Sequence, residues 1–442
     1  MAKFERTRLT LTRYLYILQE VCLSLLISLL YSRKRPFERV IFWLSELYYS
    51  GFNDVIWSVL ISIYYEYYYI KYPKLENIII KKKKEFIKES SEDNRIGIIL
   101  SLFKNIYSKS IDKFDDNNKN YFIRHIVSIL ARNTDERDAE IQKWHTIFKG
   151  RKPKIIQSFC DINSLSSKNK RDKSFIWFIQ SIMKKNEKNI YVYYSLFKDE
   201  TKQNQEWIFD KTLIYFEYID KERKDKYYIN KRKVFEFCDD KDVRLSLFIA
   251  VVQDLLYNYI INKQKTRVLF ILQNDNEITY FKQTNDITNI KVWNILKDKQ
   301  NQKIDDEVSL FYLQRDIYED NEMKDNIYYK WEYLTKQCPL WEKRLTEHKG
   351  YYSFKRETIR FKENILSDGF EDDVNKQLFY DKYGLEPDEQ PKQNLNNILL
   401  INSLDDTNVI YSKLIESIQD TPIYKELEEI EDIDQLHSFI TI

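Results

Sequence analysis

Glycine and proline are scarce in this chain: six and seven among 442 residues, with no glycine at all between Arg151 and His348. Loops that cradle phosphates need glycine where the backbone closes on an anion or takes positive φ. A dinucleotide fingerprint or a Walker-type loop therefore has no place in that interval. Pro153 and Pro339 similarly bracket a long stretch without proline, which is easier to build from helices than from many tight hairpins. Cysteine is sparse too. Cys22, Cys160, Cys238 and Cys338 stand far apart with no C-x-x-C pair, the pattern of reduced structural thiols in an intracellular protein. His125, His145, His348 and His437 are scattered, and their spacing specifies no zinc site. The most apolar run, within Leu11 to Tyr31, is interrupted by Gln19 and Glu20. From Val21 onward it is too short to span a bilayer, so a buried helix is expected rather than an anchor, and no small-residue cleavage site follows it.

What is present is apolar and charged in amounts that support sizeable cores, 43% and 32% of the chain, and the length suits two or three domains. The 34 tyrosines, 26 phenylalanines and 8 tryptophans read first as core material. Between Pro36 and Ser50, Phe37, Val40, Ile41, Leu44, Leu47 and Tyr48 recur at three- and four-residue steps. This predicts a helix opened by Pro36 and closed by Gly51. Val55 to Ile70 is apolar almost all round and predicts a central helix, and Pro73 opens another carrying the lysine run Lys81 to Lys84. Further helices are predicted over Ile96 to Tyr107, Tyr121 to Leu130, Ala139 to Phe148, Ser174 to Met183 and Trp207 to Ile219. The clearest of the middle region, Val243 to Ile261, shows a stripe of Leu245, Phe248, Ile249, Val252, Leu255, Leu256 and Tyr259, with Asp242 expected as its cap. Val268 to Leu272 and Ile278 to Phe281, joined by Asn274, Asp275 and Asn276, read as a short β-hairpin. Helical patterning resumes over Trp293 to Leu296 and Val308 to Tyr312.

The expected fold is thus mainly α, an irregular multi-helix array or bundle with a small β-hairpin insertion and an acidic C-terminal region. The basic cluster from Lys149 to Lys154 around Gly150 and Pro153 marks the best first boundary. The expected organisation is an N-terminal helical domain over 1–150, a central helical domain over 151–350 and an acidic, partly helical region over 351–442. From Tyr351 onward the formal charge is −11, against +13 before it. The stretch from Asp381 to Lys392, with Gly384, Pro387 and Pro391, reads as a loop, and a final helix is expected around Ile423, Leu427 and Ile430.

Chemistry is harder to find. The acidic groups Asp135, Glu136, Asp138, Glu140 and Asp239, Asp240, Asp242 contain carboxylates able to hold a divalent metal for phosphodiester cleavage. Acids at helix starts are explained more simply by the positive end of the helix. Cys238 has no histidine near it in sequence. No residue therefore qualifies as catalytic, cofactor-binding or metal-ligating, and no cofactor is implied. Binding is better supported: Arg33 to Arg35, Lys81 to Lys84, Lys149 to Lys154, and Lys168 with Lys170, Arg171 and Lys173 are anion-attracting runs that would grip a nucleic-acid backbone if they converged.

FWLSELYYSGF from Phe42, YPKLENIIIKKKKEFI from Tyr72, CPLWEKRL from Cys338 and YGLEPDEQ from Tyr383 together resemble uncharacterised helix-rich proteins of large cytoplasmic DNA viruses. The resemblance implies an infected-cell cytoplasm, viral factory or virion as setting, and a structural or assembly role. It carries no active-site pattern. The expected function is a noncatalytic helical scaffold for protein interaction, either with a protein partner or as a homo-oligomer, in virus assembly or on the capsid. The alternative is a nucleic-acid-associated replication or transcription factor using a basic surface, with a nuclease third. Membrane insertion is not expected.

Overall fold

The structure, a computed structural model, describes residues 10–30, 36–69, 72–109, 153–166, 168–219, 225–257, 275–285, 291–292, 320–362, 364–365, 371–372 and 374–384. These residues are mainly helical, in an irregular array carrying a small antiparallel hairpin. They fall in two compact units, each drawn from separate stretches of chain: one from Met1–Val59, Lys81–Lys113 and Phe270–Asp406, the other from Leu60–Ile80, Phe114–Leu269 and Thr407–Ile442. Among the described residues no helix is long and apolar enough to cross a membrane.

In the first unit α1 (Leu18–Leu30), α2 (Phe37–Tyr49) and the N-terminal part of α3 (Asn53–Ile63) open the chain. The C-terminal part of α4 (Leu75–Lys88), with α5 (Glu92–Ser108) and α12 (Asp275–Gln283), joins them. The apolar run that suggested a buried helix is one: Val21, Leu25, Ile27 and Leu29 are buried in α1, which packs on α2 and α5. Helix α2 has the expected punctuation. Pro36 holds φ at −68° ahead of its first turn, and Gly51 closes it at φ +90°. Gly51 cannot be replaced without strain, because a Cβ there would lie 2.7 Å from the Pro339 side chain.

One expectation fails in this unit. Ile278 to Phe281 is not a strand but part of α12, with Asp275 and Glu277 in the first turn and Lys282 in the last, charges that suit the helix dipole. The run buries one residue, Phe281, whose ring lies 5.6 Å from those of Tyr48 and Tyr49. Its β-branched and aromatic composition gave the strand signal, and docking of one helical face on α2 and α5 overrides it. Val268 to Leu272 lies outside the described residues.

The hairpin sits later, between α14 (Pro339–Glu347) and α15 (Val374–Tyr383), after α13 (Asp320–Leu334). Strand β1 (Gly350–Ser353) pairs with β2 (Thr358–Phe361) in the register Gly350 to Phe361 and Ser353 to Thr358, and Glu357 takes φ +53° in the turn. A second, two-residue pair follows, β3 (Asn364–Ile365) with β4 (Glu371–Asp372). Two strands alone are marginal, and here α13 and α15 pack on β2 and α14 on β1. Tyr351 is exposed while Ile359 is buried, the alternation of a sheet with one covered face. Asp381 to Tyr383, expected as loop, forms the last turn of α15.

The second unit is built around α11 (Lys241–Tyr257). Packed with it or its neighbours are α6 (Lys154–Ile162), α7 (Lys170–Lys184), α8 (Glu187–Asp199), α9 (Lys202–Ile219), α10 (Asp225–Glu236) and a π-helical turn, Tyr64–Tyr68. Helix α11 is buried nearly all round from Val243 to Leu255, more than the single stripe expected. Phe248 lies at its centre against Phe178, Tyr194, Phe197 and Phe209, stacked on Phe197 at 4.3 Å. Its cap is Asp240 rather than Asp242: one Asp240 oxygen accepts from the Asp242 and Val243 N–H groups at 2.7 and 3.1 Å. The helices expected over Tyr121 to Leu130, Ala139 to Phe148, Trp293 to Leu296, Val308 to Tyr312 and around Ile423 lie outside the described residues.

Candidate functional site

Where they are described, the groups singled out for chemistry sit at a helix cap, in surface ion pairs or packed in the protein. Asp239 and Asp242 flank the capping Asp240 and face Lys202 at 3.6 Å and Lys198 at 4.0 Å on the surface. Cys238 is buried, with its thiol on the Val234 carbonyl at 3.3 Å, and burial pushes the Cys338 thiol up to about 12. The four cysteines form no disulfide. His348 rests edge-on against Phe379 and Tyr383, held below its usual pKa by burial first and then by Lys382. Asp135 to Glu140, His125, His145 and His437 lie outside the described residues. Among those that are described, no three His, Cys, Asp or Glu side chains gather as a metal-binding group.

The basic runs are partly spent locally. Lys82 bonds Glu85 at 2.6 Å, and Lys81 is 3.9 Å from the same carboxylate, while Lys84 is exposed. Arg171 lies over the Trp207 ring at 3.9 Å with Asp172 beside it, leaving Lys168 and Lys170 exposed at the start of α7. Lys81 to Lys84 belong to the first unit and Lys168 to Lys173 to the second. Residues 33–35 and 149–152 lie outside the described residues.

The densest polar chemistry was not anticipated. In the second unit the run Tyr64 to Tyr69 holds five tyrosines and Glu66, wound as a π turn in which the Tyr69 N–H donates to the Tyr64 carbonyl at 2.7 Å. Beside it, Lys231 of α10 donates to Glu76 at 2.5 Å, and Tyr65 donates to the same Glu76 oxygen at 2.9 Å. The Lys231 ammonium lies 4.2 Å above the Tyr69 ring. The Tyr69 hydroxyl is 3.5 Å from that of Tyr227, which donates to buried Asp254 at 2.6 Å. Ser246 donates to Glu66 at 2.5 Å. These groups link α10, α11, the π turn and the start of α4 within the second unit. Tyr65 and Tyr69, near Glu76, are pushed above their usual pKa by burial first, so they stay neutral. The first unit has a counterpart: Arg13 bonds Glu46 at 2.8 Å with both side chains buried, and its other nitrogens reach Asn285 and the Thr284 carbonyl. Both arrangements fasten helices.

On the surface, apolar side chains recur at helical spacing. Ile155 and Ile162 stand seven residues apart on α6, 44% and 70% exposed. Val374 and Leu378 stand four apart on α15, each 50% exposed. Phe354, at the hairpin turn, is 69% exposed. The chain matches no protein-family model, no curated protein and no solved structure.

Proposed function

We propose that the chain is a noncatalytic helical scaffold that binds protein, a partner or a second copy. In the setting that the viral resemblance implies, it acts in virus assembly or on the capsid, within the cytoplasm of the infected cell. The carrying observation is the pair of exposed apolar faces, Ile155 with Ile162 on α6 and Val374 with Leu378 on α15. Single exposed apolar residues are ordinary. Pairs repeating along one helical face are the anchors by which a helix docks in a partner's groove.

The second reading, nucleic-acid association, draws on exposed Lys168 and Lys170. Affinity capture with the full chain, beside Ile162→Asp and Leu378→Asp, separates the two. A defined protein, or a self-associated form by light scattering, is expected with wild type and reduced by at least one substitution. Retention indifferent to both substitutions would overturn the scaffold reading. Removal of all retained material by nuclease would favour the second.

A further inference from the structure

Helix α14 begins with Pro339 at its first position and carries Trp341 and Arg344 three residues apart, so both side chains lie on one face. The Arg344 guanidinium is stacked there, 4.5 Å from the Trp341 ring and 5.0 Å from the ring of Tyr383 on α15. It makes no hydrogen bond or ion pair among the described residues, and Glu347, one turn on, does not bridge to it. The groups that act on it electrostatically are Tyr383, Cys338, Arg13 and Tyr14, none of them a carboxylate. Arg13 is itself occupied by Glu46. A guanidinium does not shed its proton, so Arg344 keeps a fixed, half-buried charge whose planar N–H fork has no acceptor among the described residues.

Lys382 adds a second cation, its ammonium 5.0 Å from the same Tyr383 ring and exposed. It continues the apolar face of α15: Val374, Leu378 and Lys382 follow at four-residue steps, two exposed apolar side chains and then a charge.

We propose that Arg344 and Lys382 receive a carboxylate from an acidic, leucine-containing segment of a protein partner, whose apolar side chains lie on Val374 and Leu378. This names the partner chemistry for one face of the scaffold and rests on that reading. A carboxylate matches the guanidinium fork, two N–H groups to two oxygens. A nucleic acid matches less well, because Trp341 and Tyr383 are buried and present no open ring for a base, and a phosphate backbone is gripped by many cations rather than two.

The test is calorimetric titration of the full chain with a synthetic peptide of alternating Glu and Leu, against Lys382→Glu and Arg344→Lys. Generic duplex DNA and inorganic phosphate are titrated in parallel. Each substitution is expected to weaken the peptide about tenfold, the value of roughly one charge-assisted hydrogen bond, with phosphate a poor competitor. Lys382 is exposed, so its substitution should leave the fold intact, and circular dichroism checks this for both variants. Equal binding by wild type and both variants, or no peptide binding, overturns the proposal. DNA binding that both substitutions abolish, without peptide binding, overturns it in favour of nucleic acid. Failure here while Ile162→Asp still releases a captured protein removes only this site. Loss of capture dependence with the peptide still bound removes the wider scaffold reading instead.

Discussion

Replacing Lys231 by methionine tests the buried network of the second unit most sharply. Lys231 is 2% exposed and gives Glu76 its only cation among the described ion pairs, with the Tyr65 hydroxyl on the same oxygen. Methionine keeps most of the stem's volume over the Tyr69 ring and removes the charge, leaving a carboxylate buried without its counter-ion. Such a loss costs about 3–5 kcal/mol, whereas replacing both partners of a buried pair by neutral groups is close to neutral. Glu76→Gln keeps an oxygen for Tyr65, so Lys231→Met with Glu76→Gln should recover most of the deficit. The chain has two units, so native-state amide exchange read on α10 and on the first turns of α4 is a better assay than a global melt. Exchange there should quicken by between about a hundredfold and a few thousandfold in the single variant and return to within about tenfold of wild type in the double. A single variant that changes exchange by less than about fivefold, or a double variant no better than the single, would refute the reasoning.

Gly51→Ala places a Cβ at φ +90° and 2.7 Å from Pro339, and should lower the first unit's stability by about 1–3 kcal/mol in urea unfolding followed by tryptophan fluorescence. Burial pushes the Cys338 thiol up to about 12 in the folded chain, against about 8.5 in an unfolded one. The unfolded chain therefore loses its proton first, and the contribution of this group to stability is intact below about pH 8.5 and falls as pH rises toward 12. A Cys338→Ala variant should show a shallower loss of the urea midpoint between neutral and alkaline pH than wild type. Deleting the residues after Tyr383 removes a strongly acidic segment and should strengthen salt-sensitive binding to generic nucleic acid while helical content by circular dichroism holds.

The parts of the fold that rest on local rules were readable from residues alone. Pro36 and Gly51 bracket α2, and the apolar run from Val243 gives α11. The parts that rest on docking were not. Ile278 to Phe281 has strand propensity and lies in α12, while Thr358 to Phe361 forms the real hairpin with Gly350 to Ser353. In that hairpin, Tyr352 and Ile359 are adjacent only through register. Helix α8 was hidden by its tyrosines and valine, which suit strands as well as buried helices. The ionic centres were out of reach for a simpler reason: Lys231 and Glu76 are 155 positions apart, and nothing local joins them. Arg344 was closer to legible, since the Trp341 to Arg344 spacing within CPLWEKRL already places a cation on an aromatic face.

The central claim, that this chain binds protein rather than nucleic acid, is tested most directly by sedimentation of the full chain with the material it retains, before and after nuclease, for wild type, Ile162→Asp and Leu378→Asp. The expected result is a protein complex or self-associated form that survives nuclease and is weakened by at least one substitution. A chain that sediments as a monomer after nuclease, identically in all three forms, would contradict the account.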